Sequence, residues 1–524
     1  MSRGRRLAAF EAVVEASGVA TLLDDRRPQG GRVAQLSAKA VLVALMLGID
    51  RHKSGHLSGA HEALADLSVA ERIRIGAHRS TRDVLHDPTY RQLSSTHDVV
   101  VKAFDPTPVP SFRGVAQEDR RAHLGAHRAG VDVVAASSTR DEVVDRLVEA
   151  SVFDPYKQMS SSLAIDWTDH ETWSRPRAKG DACPPYDPDA TWGHAKRNAP
   201  GAKEQPFFGY YAQVATMVND DGGRPVPELV RRIAFGPAEV DPPPLMAATL
   251  VRMAGAGVAL GDVLADCGYS NRTPKAFALP LRRAGAVLVM DLHPQDRGRK
   301  GTYGGAVISN GNLYCPSTPA DLVDLEPLTK GAGKEEAVAH EGLVQERARF
   351  KLGVIARPDR RATTRVMCPA LLGKVRCPRR PESLSLDYTH PDIAVVPAGT
   401  PSCCVQKTLS VPVEIWAKTS QRIDYPSDAH RRSYARRVGA ERTYGWLATV
   451  ATIGIRRGWS RLAGTTKNAL MYALAVVVRN IRLIEKFERQ EHRQVREQSA
   501  TGAQTVAAPD EAPDDEAASP HDSG

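Results

Sequence analysis

Residues Phe207–Val218 read FFGYYAQVATMV, a run of aromatic and β-branched residues that predicts a long strand. Asn219–Gly223 (NDDGG) follows at once as a strong turn, and Leu229–Phe235 supplies the returning strand of a hairpin. Working outward, Ser162–Trp167 is a short apolar strand carrying Asp166, and residues 176–206 read as a loop rich in Pro, Gly, Asp and Lys. Downstream, Leu245–Ala254 predicts a helix, Val263–Asp266 a strand, Pro274–Ala284 a helix and Ala286–Met290 a strand. Hairpin strands followed by strand–helix alternation are the order expected of a mixed-sheet α/β domain.

The flanks differ in character. Residues 1–155 read as helical: Val33, Leu36, Ala40, Val41, Ala44 and Leu45 recur at helical spacing, and Ala60–Ile75, Tyr90–Phe104 and Arg140–Val152 repeat the style. Scattered Arg51, His52, Lys53 and His56 leave two readings of this segment, a DNA-binding domain or a plain bundle with solvated charges. Residues 295–425 are rich in Pro, Gly and Arg, hold five of the seven cysteines, and read as an inserted, β-rich subdomain. Helical character returns over Ser427–Leu447 and from Asn468 to about residue 491, so that 156–294 and 426–492 make up the α/β core. Residues 493–524 read as an acidic, disordered tail.

The bulk numbers narrow the function classes. Lys and Arg number 70 against 61 acids, a formal charge of +9. Residues 501–524 carry six of those acids and no Lys or Arg, so residues 1–500 carry +15. That balance favours a polyanionic partner. Seven cysteines in 524 residues are no disulfide scaffold, and the basic Met1–Ala9 precedes no apolar signal core. Val41–Ile49, bracketed by Lys39 and Arg51, is too short to span a bilayer and predicts a buried helix. The expected setting is cytoplasmic, with no membrane.

Three acids stand out. Asp166 and Asp266 sit at predicted strand ends, which fix a carboxylate's direction, although such aspartates also begin turns or cap helices. Tyr434, Arg437 and Glu441 have the spacing Tyr-x2-Arg-x3-Glu within a predicted helix, which places them on one face. Arg431, Arg432, Arg436 and Arg442 make that helix basic; the plainer reading is a solvated helix with one internal salt bridge. Phosphodiester chemistry with two divalent ions ~3.5–4 Å apart needs carboxylates converging from different elements. Asp169, and Asp291 after the strand Ala286–Met290, are competing acids.

This arrangement resembles bacterial insertion-sequence transposases of the DDE class, with their Tyr-x2-Arg-x3-Glu-x6-Lys signature. Tyr434, Arg437 and Glu441 match it, Ala448 stands at the lysine position, and Gly268 and Tyr269 follow the second acid. Arg479–Arg482 also looks like the closing helix of such proteins. The resemblance spans roughly residues 160–485. It implies a ribonuclease-H-like sheet flanked by helices, with Asp166, Asp266 and Glu441 holding Mg²⁺, for which Mn²⁺ could substitute. It implies Tyr434, Arg437 and Arg442 on DNA, with Arg442 or Arg456 in place of the lysine. It further implies double-stranded DNA partners (element ends and target), a homodimer by analogy and a nucleoid-associated place in the cytoplasm. The activity implied is cleavage of element ends and joining of the freed 3′-hydroxyls to target DNA. A nuclease of the same fold without strand transfer, and an inactive DNA-binding remnant, are the alternatives.

Cys315, Cys368, Cys377, Cys403 and Cys404 all fall in the insertion. They could supply a tetrahedral thiolate zinc site, or they are incidental buried thiols; their spacing contains no compact Cys-x2-Cys pair to decide it.

Overall fold

The computed structural model describes residues 3–505 apart from 28–35, 78–79, 82–83, 86, 130–132, 179, 196–203, 330, 357–362 and 394–398. Val33 and the acidic tail beyond residue 505 therefore lie outside the described residues. Ser37 caps a helix that is buried along nearly its whole length, as the apolar run Val41–Ile49 requires. This helix, α2 (Ala38–His52), packs against α1 (Arg3–Ser17), which in turn packs against α3 (Val133–Ala150). The segment expected as one helix over Ala60–Ile75 is two, Leu57–Ala65 and Val69–Arg74, because Ser68 and Glu71 form a capping box between them.

Among the described residues the central sheet has six strands: β1 (Leu163–Glu171), β2 (Thr191–Ala195), β3 (Gln205–Met217), β4 (Val230–Pro237), β5 (Asp262–Ala265) and β6 (Val287–Met290). Both β2 and β4 pair antiparallel with the outer edge of β3, β2 along Gln205–Gly209 and β4 along Tyr210–Thr216. Inward, β3 is antiparallel to β1, and β1, β5 and β6 run parallel. Thus β4-β3-β1-β5-β6 is a mixed sheet, and β2 corrects the expectation of an unbroken loop over 176–206.

Helices α4 (Pro242–Gly255) and α5 (Ala278–Arg283) cover one face through Met246, Leu250 and Leu281, packed on Leu163, Ile165, Val263 and Leu288. The insertion begins after β6. Among the described residues it holds two three-stranded antiparallel sheets, β7 (Arg299–Tyr303), β8 (Ala306–Ser309) and β9 (Asn312–Tyr314), then β10 (Gly353–Ala356), β11 (Thr363–Met367) and β12 (Leu409–Pro412). Between the sheets lies α6 (Lys334–Arg349), a helix not expected in a β-rich segment.

The helical return is not continuous. It breaks into α7 (Asp428–Tyr434), a 3₁₀ turn over Ala435–Arg437, and α8 (Val438–Ala448). The last helix among the described residues, α9 (Thr465–Thr505), runs past residue 492, where the tail was expected to start. Among the described residues, no helix is long and apolar enough to cross a membrane.

The sequence boundary at residue 155 is not a boundary between cores. Leu7, Val41 and Leu147 share one apolar cluster with Tyr210, Val214 and Ile233 of the sheet and with Leu474 and Val478 of α9. The Arg479–Arg482 segment stitches these parts together. The Val230 N–H donates to Asn480 Oδ1 at 3.0 Å, while Asn480 Nδ2 donates to Val230 O at 2.9 Å and Ser151 Oγ at 2.8 Å. Arg482 Nε donates to Asp50 Oδ1 at 2.6 Å, tying α9 to α2. Replacing buried Asn480 by leucine strands a buried amide and carbonyl, each costing about 1–3 kcal/mol. Asn480→Leu is expected to lower stability by roughly 2–4 kcal/mol in urea denaturation, with unfolding of the N-terminal helices coupled to that of the sheet.

Candidate active site

Side chains alternate across a sheet, so a two-residue step stays on one face. The parallel register pairs Ala164 with Leu264 and Leu264 with Val289. These three lie in one apolar cluster with Val218 and Ala440, beneath Tyr434. Two residues further along each strand stand Asp166, Asp266 and Asp291. The three aspartates therefore form the next row on the same face, running past the C-terminal ends of β5 and β6. Asp166 is not at a strand end as expected: β1 continues to Glu171, opposite β3.

Helix α8 reaches this face because its contact residues are small. Gly439 sits so close that a Cβ there would come within 2.6 Å of Val218 Cγ1, and Ala440 and Thr443 are fully buried. Thr443 Oγ1 lies 3.1 Å from Thr216 Oγ1 and accepts from Arg479 Nη2 at 2.9 Å. Tyr444, which the sequence reading passed over, donates its hydroxyl to the Asp166 carbonyl at 2.6 Å and accepts from the Val214 N–H at 3.1 Å. It pins the backbone at the acid.

Each carboxylate has a distinct setting. Asp266 caps the short turn Cys267–Ser270, its Oδ1 accepting from the Gly268 N–H at 3.0 Å and the Tyr269 N–H at 3.4 Å. The Gly-Tyr pair thus aims the second acid. Asp166 Oδ1 accepts from the Trp167 N–H at 2.9 Å, and its Oδ2 from Arg437 Nη1 at 3.2 Å. Arg437 also pairs with Glu441, which is half exposed, and so bridges the first and third acids. The Tyr434 ring, 5.8 Å from the Arg437 guanidinium, stacks on His430 and is partly buried. In that position it supports Arg437. Arg442 turns away to pair with Glu228, at 2.9 and 3.1 Å from its Nε. Asp291 is held by the Tyr425 hydroxyl at 2.9 Å and by Arg297 at 3.4 Å.

Electrostatics follow from crowding. Burial and the neighbouring Asp266 push the Asp166 carboxyl up to about 6, against the pull of Arg437. Asp266 is also raised, first by burial, with Asp291 adding to it. The Arg437 guanidinium is held more firmly protonated by Tyr434, Asp166 and Glu441, which outweigh its own desolvation. Two desolvated carboxylates repelling each other, with one guanidinium as partial compensation, are the oxygen donors a hard divalent cation takes. Among the described residues, no three His, Cys, Asp or Glu side chains stand grouped as a ready metal site.

Beyond Asp166 the face opens into a groove lined by Thr168, Glu171, Ala448, Arg456 and Arg457. Arg456, expected as a stand-in for the lysine at Ala448, shares that groove with it, and both arginines are exposed.

No family model, curated protein or solved structure matches the chain.

Because the native state binds the Asp166 proton more tightly than the unfolded chain, stability falls as pH rises from about 4 through about 6. Asp166→Asn removes that dependence. Without divalent cations, the variant is expected to gain up to about 2–3 kcal/mol relative to the parent between pH 4 and pH 7.5, read from paired thermal melts. A Cβ at Gly268 would fall 2.4 Å from Trp167 Cη2, so Gly268→Ala is expected to displace the Asp266 cap and cost about 1–3 kcal/mol.

Proposed function

We propose that this chain is a DNA transposase of the DDE class, cleaving element ends and joining the 3′-hydroxyls to target DNA. The observation that carries the reading is the register of β1 and β5, which sets Asp166 and Asp266 side by side under the turn into α8, whose Arg437 reaches both Asp166 and Glu441. The strand order, with antiparallel hairpin strands and then strands parallel to the first, supports reading the sheet as ribonuclease-H-like.

In this reading Asp166 and Asp266 hold Mg²⁺, with Mn²⁺ as substitute, and Glu441 completes the donor set. The bound ions supply Lewis acidity and charge neutralisation at the reacting phosphate. The chain's own groups position the substrate. Gly268, Tyr269 and the Trp167 N–H keep the acids aimed. Arg437 holds the acids' charge while no cation does, and its guanidinium is placed to meet a phosphate when the carboxylates are otherwise occupied. Arg456 and Arg457 extend the path of a phosphate backbone away from the acids. Two ends must be cut, which calls for two chains acting together.

The test is incubation of full-length protein with duplex carrying the sequences that flank its gene. Cleavage and joining are expected only with Mg²⁺ or Mn²⁺, and Asp166→Ala, Asp266→Ala and Glu441→Ala should each lower the rate at least about 100-fold. Activity surviving all three individually sinks the reading. Cleavage without joining of 3′-hydroxyls favours a nuclease, and binding without cleavage an inactive remnant. Arg456→Ala and Arg457→Ala are each expected to weaken DNA binding on any sequence and to reduce the salt slope by about 1.

A further inference from the structure

The insertion holds a cluster that the row of acids does not use. Cys315, Cys368, Cys377 and Cys404 come from four separate segments yet line one small cavity, together with Arg379 and Arg380. All four are buried free thiols. Cys315 directly follows β9 and Cys368 directly follows β11, so one strand end from each small sheet delivers a sulfur. The Ser317 N–H donates to the Cys315 sulfur, and the Ala370 and Leu371 N–H groups both donate to that of Cys368. Burial is the larger influence and pushes both thiols up, while these N–H donors pull the other way, toward the thiolate that a bound cation would hold. Cys403 is different. It does not line the cavity; it shares the apolar cluster around Ala306, Leu313 and Val366 with Cys404, whose sulfur lies 3.9 Å from its own.

We propose that Cys315, Cys368, Cys377 and Cys404 bind a structural zinc ion as four thiolates, with Arg379 and Arg380 offsetting the surplus charge. Four S–H bonds break and four Zn–S bonds form, releasing four protons and leaving a complex of net charge −2 that two guanidinium groups face. With four protein donors the site is closed, which marks it as structural and not catalytic. The need is physical. Two three-stranded sheets with small apolar clusters of their own are marginal, and metal binding adds directly to their folding free energy. The sulfurs line the cavity without being drawn together as a ready metal group. Each is placed by a single staggered torsion, and closing on the ion is the movement the site requires.

Zinc content of full-length protein purified without added metal or chelator tests this. The expected result is close to one zinc per chain, lost in Cys315→Ser, Cys368→Ser, Cys377→Ser and Cys404→Ser but retained in Cys403→Ser and Cys183→Ser. Replacing zinc by Co²⁺ should give the d–d and sulfur-to-cobalt charge-transfer bands of a tetrahedral four-thiolate centre. A metal-free chain with all thiols open to titration overturns the proposal, as does zinc that survives Cys315→Ser or Cys377→Ser. Loss of zinc in Cys403→Ser equal to that in Cys404→Ser overturns the ligand set. If the serine variants fail to fold, the cobalt spectrum of the unsubstituted chain decides, and absence of thiolate–cobalt bands is fatal. Cleavage activity plays no part in this readout, so it stands or falls apart from the DNA reading.

Discussion

Everything at the acid row depends on the parallel register of β1, β5 and β6. Because Ala164, Leu264 and Val289 are level, the residues two further on are level as well, and all three are aspartates. The Asp166 and Asp266 carboxylates, largely withdrawn from water, repel each other, and the fold answers with a guanidinium. Arg437 reaches them only because α8 lies almost on the sheet, and α8 lies there only because Gly439 and Ala440 have little side chain to hold it off. A larger residue at either position would lift the helix and with it the compensating charge.

The surrounding polar contacts serve the same end. Tyr444 fixes the backbone at Asp166, the N–H groups of Gly268 and Tyr269 fix the Asp266 carboxylate, and Tyr425 with Arg297 fixes Asp291. Further out, Asn480 and Arg482 lock α9 to the edge of the sheet and to the N-terminal helices. The site is thus carried by a rigid sheet and two helices. Such support matters when charge stabilisation and positioning are the work to be done.

What could be read from the sequence was what burial writes into it. The runs around Asp166, Phe207 and Asp266 are apolar because those strands are covered on both faces, and they fall within a few residues of their expected places. Strand β2 left no such mark: it is an edge strand in which only Gly193 is buried. Helix α6 escaped for a similar reason, since Val344 and Arg347 alone among its residues are buried and no apolar stripe exists to be seen. The spacing of Tyr434, Arg437 and Glu441 placed them together, but did not show the break at Ala435–Arg437. The alignment of Asp291 with the other two acids is a property of register, which strand composition does not encode. The five cysteines of the insertion could be picked out as possible thiolate donors, but not which four line one cavity, because the segments that carry them meet only through tertiary packing.

The central claim is that Asp166 and Asp266, with Glu441, form a divalent-cation site. Titration of full-length protein with Mn²⁺, followed by electron paramagnetic resonance of the free ion, tests it most directly. The expected result is saturable binding that is lost in Asp166→Asn and Asp266→Asn and weakened in Glu441→Gln, while Asp169→Asn leaves it intact. Mn²⁺ binding of equal strength in the Asp166→Asn and Asp266→Asn variants, or none in the unsubstituted chain, would contradict the account.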